Sequence, residues 1–195
     1  MGKLFYVIGK SATGKDTIFQ KLLENESLAL KPLGLYTPRP MRAGEEQGVQ
    51  YHFTDEAGLT ELQNAGKVIE LRAYDTVHGV WKYFTADTEA TDLEKYNYAG
   101  VGVLESYRAL RNYYGAERVI PIYIEVEDGE RLQRALDRER GQQEPKYAEL
   151  CRRFLADSED FAEEKIAEAG IEKRFYNRDL KESIEEISAY IKEHK

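Results

Sequence analysis

A short segment near the start of the chain, Gly9-Lys10-Ser11-Ala12-Thr13-Gly14-Lys15, has the G-x-x-x-x-G-K spacing of a phosphate-binding loop. Each residue type has a reason to be there. Glycines let successive backbone N–H groups curl around phosphate oxygens, a helix N-terminus adds positive potential, and the lysine ammonium reaches the outer phosphates. The expected ligand is a nucleoside triphosphate bound by Gly9, Lys10, Ser11, Ala12, Thr13, Gly14 and Lys15. After the lysine, such loops usually carry a Ser or Thr that holds Mg2+. Here Asp16 takes that place and Thr17 follows it. Asp16 reads in two ways: as a Mg2+ ligand with Thr17, or as a first-turn carboxylate favoured by the helix dipole.

The loop works only between a buried strand and a helix. Leu4-Phe5-Tyr6-Val7-Ile8 supplies the strand pattern, and Ile18, Phe19, Leu22 and Leu23 supply an amphipathic helix. Strand and helix signals then alternate, which predicts a P-loop NTPase-type α/β fold, a parallel sheet flanked by helices. Lys31–Tyr36 reads as a second strand, and residues 98–105 and 118–126 read as buried ones. Tyr107, Leu110 and Tyr114 predict a helix stopped at Gly115. A helix from Asp128 should bury Leu132, Ala135 and Leu136 and stop at Gly141. One long helix should bury Leu150, Phe154, Phe161 and Ile166, with Gly170 after it. A short strand near Arg174–Asn177 precedes a last helix carrying Leu180, Ile184, Ile187 and Ile191. Residues 37–86 break this rhythm with a Pro- and Arg-rich turn, short β-rich arms and a hairpin turn at His78-Gly79.

Composition narrows the class. The 195 residues suffice for one domain, and a net charge of −8 argues against a nucleic-acid partner. An acidic protein that binds nucleotides must concentrate its positive charge locally. The single Cys151 permits no internal disulfide and reads as a buried thiol in a reducing compartment. No stretch suits a bilayer or a signal peptide, and Tyr6 breaks the myristoylation pattern after Gly2, so the expected location is cytoplasmic. The sequence carries no signal for oligomeric state.

The segment Thr37-Pro38-Arg39-Pro40-Met41-Arg42-Ala43-Gly44-Glu45-Glu46-Gln47-Gly48-Val49-Gln50-Tyr51-His52-Phe53 resembles the guanylate kinase pattern T-T-R-x-x-R-x-G-E-x-x-G-x-x-Y-x-F. With the loop, Glu70, Arg140-Gly141 and Asn177 in the family's order, the resemblance covers most of the chain. It implies a single domain over 1–195: a core of about 1–36, 87–137 and 151–195, a small α+β GMP-binding insert at about 37–86, and a helical lid at about 138–150. It also implies that ATP, with Mg2+, phosphorylates GMP to GDP. Arg39 and Arg42 would clamp the acceptor phosphate with Tyr51 and Tyr83. Glu70 would accept from guanine N1–H and N2–H2, and Thr85 would touch the base. Arg138, Arg140 and Arg153 (or its neighbour Arg152) would serve transfer beside Lys15, and Asn177 would lie near adenine.

Some positions depart from that pattern. Phe84 stands where the family has Gly, Leu35-Tyr36 where a Ser is expected, and Val101–Ser106 lacks a match to I-D-x-Q-G unless Glu105 supplies the acidic group. Two other readings remain. One is a sister kinase acting on ribose 1,5-bisphosphate, where an Asp after the loop Lys also occurs. The other is a non-catalytic guanylate-kinase-like binding module, against which the retained Gly14-Lys15 argues.

Overall fold

Strand β1 (Leu4–Ile8) is buried along its whole length, and its side chains alternate between two cores. Leu4, Tyr6 and Ile8 pack with Leu104, Tyr107 and Leu110 of helix α3 (Leu104–Tyr114). Phe5 and Val7 pack with Ile18 and Leu22 of α1 (Lys15–Glu24) and with Ile187 and Ile191 of α7 (Leu180–Glu193). Apolar residues on both sides of one strand require cover on both faces, which the helices give. The computed structural model describes residues 1–42, 44–49, 51–76 and 79–195.

Two sheets organise these residues. The first is wholly parallel, in the order β2 (Leu30–Pro32), β7 (Asn97–Gly102), β1, β8 (Val119–Glu125), β9 (Arg174–Tyr176). The second runs β4 (His52–Phe53), β3 (Leu35–Thr37), β6 (Gly79–Ala86), β5 (Val68–Thr76), with β6 antiparallel to both neighbours. Helix α2 (Glu56–Asn64) covers the second sheet, burying Leu59 with Phe84 and Ala86. The expected α/β sheet with a partly antiparallel insertion is therefore present. No described helix is long and apolar enough to cross a membrane.

Several local expectations need correction. The strand expected over Lys31–Tyr36 is two strands, β2 and β3, in different sheets. The chain crosses between them at Gly34, where a Cβ would stand 3.2 Å from that of Ala90. The strand expected through residue 105 ends at Gly102, because Leu104 turns into the core as the first residue of α3. The expected long helix is α5 (Tyr147–Asp160) and α6 (Glu163–Glu168). Phe161 leaves the helical path to stack on Tyr123, with ring centroids 5.9 Å apart, and α5 keeps no buried residue of its own. Cys151 is consequently exposed, not buried.

Helix α4 (Asp128–Arg140) buries Arg131, Ala135 and Glu139, while Leu132 is exposed. The helix is rotated to seat an ion pair rather than a leucine. Strand register pairs Thr76 with Gly79, so the hairpin forms with Gly79 already inside β6. His78, the other half of the expected turn, lies outside the described residues.

Candidate active site

The loop leaves β1 at Ile8 and enters α1 at Lys15. Gly14 caps that helix in the left-handed region (φ 85°) with no side-chain cap, so the first-turn N–H groups have no capping side chain. Ala12 also has positive φ (63°), a strained position for a residue with a Cβ. Two contacts hold this shape. The Thr13 hydroxyl donates to the Lys10 carbonyl at 2.9 Å, and Asn177 Nδ2 donates to the Thr13 carbonyl at 2.8 Å. That amide lies 2.5 Å from where a Gly14 Cβ would be, so only glycine fits. Asn177, expected near adenine, is thus placed under the loop as a brace. Lys15 Nζ lies 3.1 Å from the exposed carboxylate of Asp16, with exposed Thr17 next to it.

A second cluster roofs the loop. Ser11 N–H donates to Asp157 Oδ2 at 2.8 Å, and that oxygen also takes Arg131 Nη1 at 3.1 Å. Arg131 is 1 % exposed, pairs with Asp128, and lies over the Phe154 ring at 4.1 Å. Lys10 pairs with the same Asp128 at 3.3 Å. Neither Arg131 nor Asp157 was expected. An arginine four residues before Ala135 on the buried stripe was the available signal.

The insert presents one working face. Glu70, Arg72 and Tyr74 alternate along β5 and lie opposite Thr85, Tyr83 and Trp81 of β6. Phe84 points the other way into the small core, which accounts for its replacing a glycine. At one end of the face, buried Arg39 forms a bidentate pair with Glu45 (2.6 and 2.7 Å) and donates from Nε to the Tyr83 hydroxyl at 3.2 Å. Its guanidinium sits 5.0 Å from the Tyr51 ring centroid. Arg42 lies 4.6 Å from Trp81, and its N–H donates to Glu45. The Arg39 guanidinium and the Arg42 N–H hold the Glu45 carboxyl down at about 2, and Glu45 in turn raises Arg39. Burial raises the Tyr51 hydroxyl above its ordinary value.

At the other end Glu70 is buried. Its Oε1 accepts from the Thr85 hydroxyl at 2.9 Å, and its Oε2 accepts from the Ser106 hydroxyl at 3.1 Å and Arg72 Nε at 3.0 Å. Ser106 was not expected. Glu105, considered for the family's acidic group, is exposed, and the next residue supplies the contact instead. Behind them lies Tyr6, whose ring fills the space beside Gly100 and Gly102; a Cβ on Gly102 would fall 2.2 Å from its hydroxyl. Burial pushes that phenol far up, so it stays protonated.

A cavity of about 900 Å³ runs along β5 between the insert and α5, lined among others by Ser11, Arg72, Tyr74, Glu105, Arg153 and Asp157. Arg152 and Arg153 both donate to Glu149 at 2.7 Å, which holds that carboxyl at about 2. Arg138 and Arg140 are exposed at the end of α4 and are not among the described residues lining this cavity. The structure thus brings together Lys15, Asp16 and Thr17 at one place, and Arg39, Tyr51, Tyr83, Glu70 and Thr85 on one face. It leaves Arg138 and Arg140 apart.

The fold is that of guanylate kinases: a solved guanylate kinase from Anaplasma phagocytophilum superposes with a TM-score of 0.65 at 19 % identity, covering 98 % of this chain and 85 % of that one. A guanylate kinase from Paraburkholderia xenovorans is 31 % identical over 188 residues, 93 % of this chain and 77 % of that protein. One from a Wolbachia of Brugia malayi is 28 % identical over 207 residues, covering 97 % and 92 %. The match to the Methylobacillus flagellatus guanylate kinase, 38 % identical over 80 residues, spans only 38 % of that protein. The guanylate kinase family model matches residues 1–194. The chain belongs to the guanylate kinase family, a family of phosphotransferase enzymes.

Proposed function

We propose that this protein transfers the γ-phosphoryl group of ATP to GMP, giving ADP and GDP. The loop 9–15 would hold the ATP phosphates, with Lys15 on the outer ones. Asp16 and Thr17 offer a carboxylate and a hydroxyl beside the phosphate site, hard oxygen donors of the kind Mg2+ accepts together with substrate phosphates. Bound there, the ion would neutralise phosphate charge.

The attacking phosphate oxygen of GMP is already ionised, so the protein needs positioning and charge stabilisation rather than a general base. Arg39, Arg42, Tyr51 and Tyr83 would bind the acceptor phosphate, and Glu70, held from behind by Thr85, would bind guanine. Glu45 occupies the Arg39 fork, so the Arg42 guanidinium and both phenols, with the one remaining Arg39 donor, would complete the phosphate site. Arg152 and Arg153, both on the cavity wall just beyond the lid, are the arginines best placed to meet the transferred group. We assign residues 37–86 as the acceptor insert and 138–150 as the lid, whose closure would exclude water. Within the lid, Glu139 accepts from Lys146 N–H at 2.6 Å and ties the loop ends together.

One observation carries this reading. A single sheet face bears a buried carboxylate at one end and an Arg–Tyr cluster at the other, the complement of a base and a phosphate. The test is an ATP-consumption screen over GMP, dGMP, AMP, UMP, IMP and ribose 1,5-bisphosphate. GMP should be turned over far faster than AMP or UMP, and IMP, which lacks the 2-amino group, should be poor. Preference for ribose 1,5-bisphosphate would overturn the assignment.

A further inference from the structure

We infer that Arg72 is a second reader of the acceptor base, a specificity-determining residue that covers Glu70 in this structure and, on guanine binding, donates to the O6 and N7 edge of the purine. The inference rests on the GMP reading above and names a residue that reading does not use.

An ionised carboxylate offers about four lone-pair sites. Glu70 has four donors on it: Thr85 and Arg72 Nη2 on Oε1, at 2.9 and 3.4 Å, and Ser106 and Arg72 Nε on Oε2, at 3.1 and 3.0 Å. A guanine bringing N1–H and N2–H2 must therefore displace two donors. Thr85 and Ser106 are buried behind the carboxylate at 1 % and 0 % exposure, whereas Arg72 lines the cavity from which a base would arrive. Arg72 also makes the longest of the four contacts and has a flexible stem, so it is the group that yields.

A displaced guanidinium there needs new acceptors, because its surroundings are only partly open; its side chain is 14 % exposed. Glu70 and Arg72 are two apart on one strand and share one face, about 7 Å apart along the strand. Guanine places O6 and N7 beside its N1–H, and a planar guanidinium donates to that pair bidentately. Adenine places an amino donor at the same position, against which an Arg donor is left unpaired. Carboxylate and guanidinium side by side thus match guanine's donors and its acceptors together.

The test measures acceptor kinetics of the full chain with GMP, 7-deaza-GMP, which lacks the N7 acceptor, and 6-thio-GMP, whose sulfur accepts weakly. Parent and Arg72→Met proteins are compared, with Arg72→Lys as a milder variant and circular dichroism to check folding. The parent should use both analogues roughly tenfold less efficiently than GMP. Arg72→Met should lose at least that factor on GMP through the acceptor KM, use GMP and 7-deaza-GMP equally, and keep its KM for ATP.

If Arg72→Met instead lowers the KM for GMP, Arg72 is only a competitor for Glu70 and the inference falls. It falls equally if the parent treats GMP and both analogues alike, a comparison that needs no variant. A parent that phosphorylates no GMP at all overturns the GMP assignment, and this inference with it.

Discussion

In the loop between β1 and α1 the groups that would meet phosphate are backbone N–H donors, and the side chains around them act as braces. Asn177 holds the Thr13 carbonyl from below, and Asp157, carried by Arg131, engages the Ser11 N–H from above. On the insert the offered groups are side chains, and the braces are opposite charges: Glu45 on Arg39, and Arg72 on Glu70. The difference follows from what each end must do. Backbone donors cannot swing away, so the loop needs only its shape preserved. Buried charged side chains can move and are costly unpaired, so each is held by a partner until a ligand competes for it. The loop is thus held by its conformation and one buried ion pair behind it, the acceptor face by an opposite charge at each working group.

The largest expected effect breaks the phosphate end at the Lys15 charge. Lys15→Ala should lower kcat by roughly 10²–10³-fold, ~3–4 kcal/mol of transition-state stabilisation, while thermal unfolding changes little. Near-parental turnover would refute the kinase reading. Glu70→Gln comes next: it keeps the shape but adds an amide donor where guanine needs acceptors. Efficiency with GMP should fall by about 10²-fold, ~3 kcal/mol, with the KM for ATP unchanged. Loss on both substrates alike would show that Glu70 only supports the fold.

Asn177→Ala sharpens the claim that the loop is braced rather than charged. It strands the Thr13 carbonyl at a cost of about 1–3 kcal/mol, so the KM for ATP should rise several-fold with the KM for GMP unchanged. Equal effects on both would contradict the separation of the two ends. The smallest effect is at Glu45. Its carboxyl is held near 2, below its ordinary 4.5, so its stabilising pair with Arg39 is complete above about 4.5 and is lost as pH falls toward 2. Trp81, the sole tryptophan, lies 5.5 Å from the Arg39 guanidinium and should report this by fluorescence. A transition in that acid range is expected in the parent, and a weaker one in Glu45→Gln. Identical titrations would mean that Arg39 is held by its aromatic neighbours alone.

Sequence by itself determined what depends on neighbours along the chain. The loop was legible because its ligand groups are consecutive residues whose spacing fixes the backbone path, and β1 and α1 because their apolar periods are unbroken. Glu70 and Thr85 were named from the resemblance to guanylate kinases, and their pairing across adjacent strands came with the structure. Tertiary structure alone decided who meets Glu70. Ser106 lies 36 residues away and reaches it only because α3 packs under the hairpin. Tyr6 explains Gly100 and Gly102 only once β1 and β7 lie side by side. Arg131 carried no signal of its partner in the sequence; packing of α4 against α5 gave it Asp157. Hydrophobic period reports which face is buried on average. It says nothing of a polar side chain buried because its partner, distant in sequence, removes the cost of burying it.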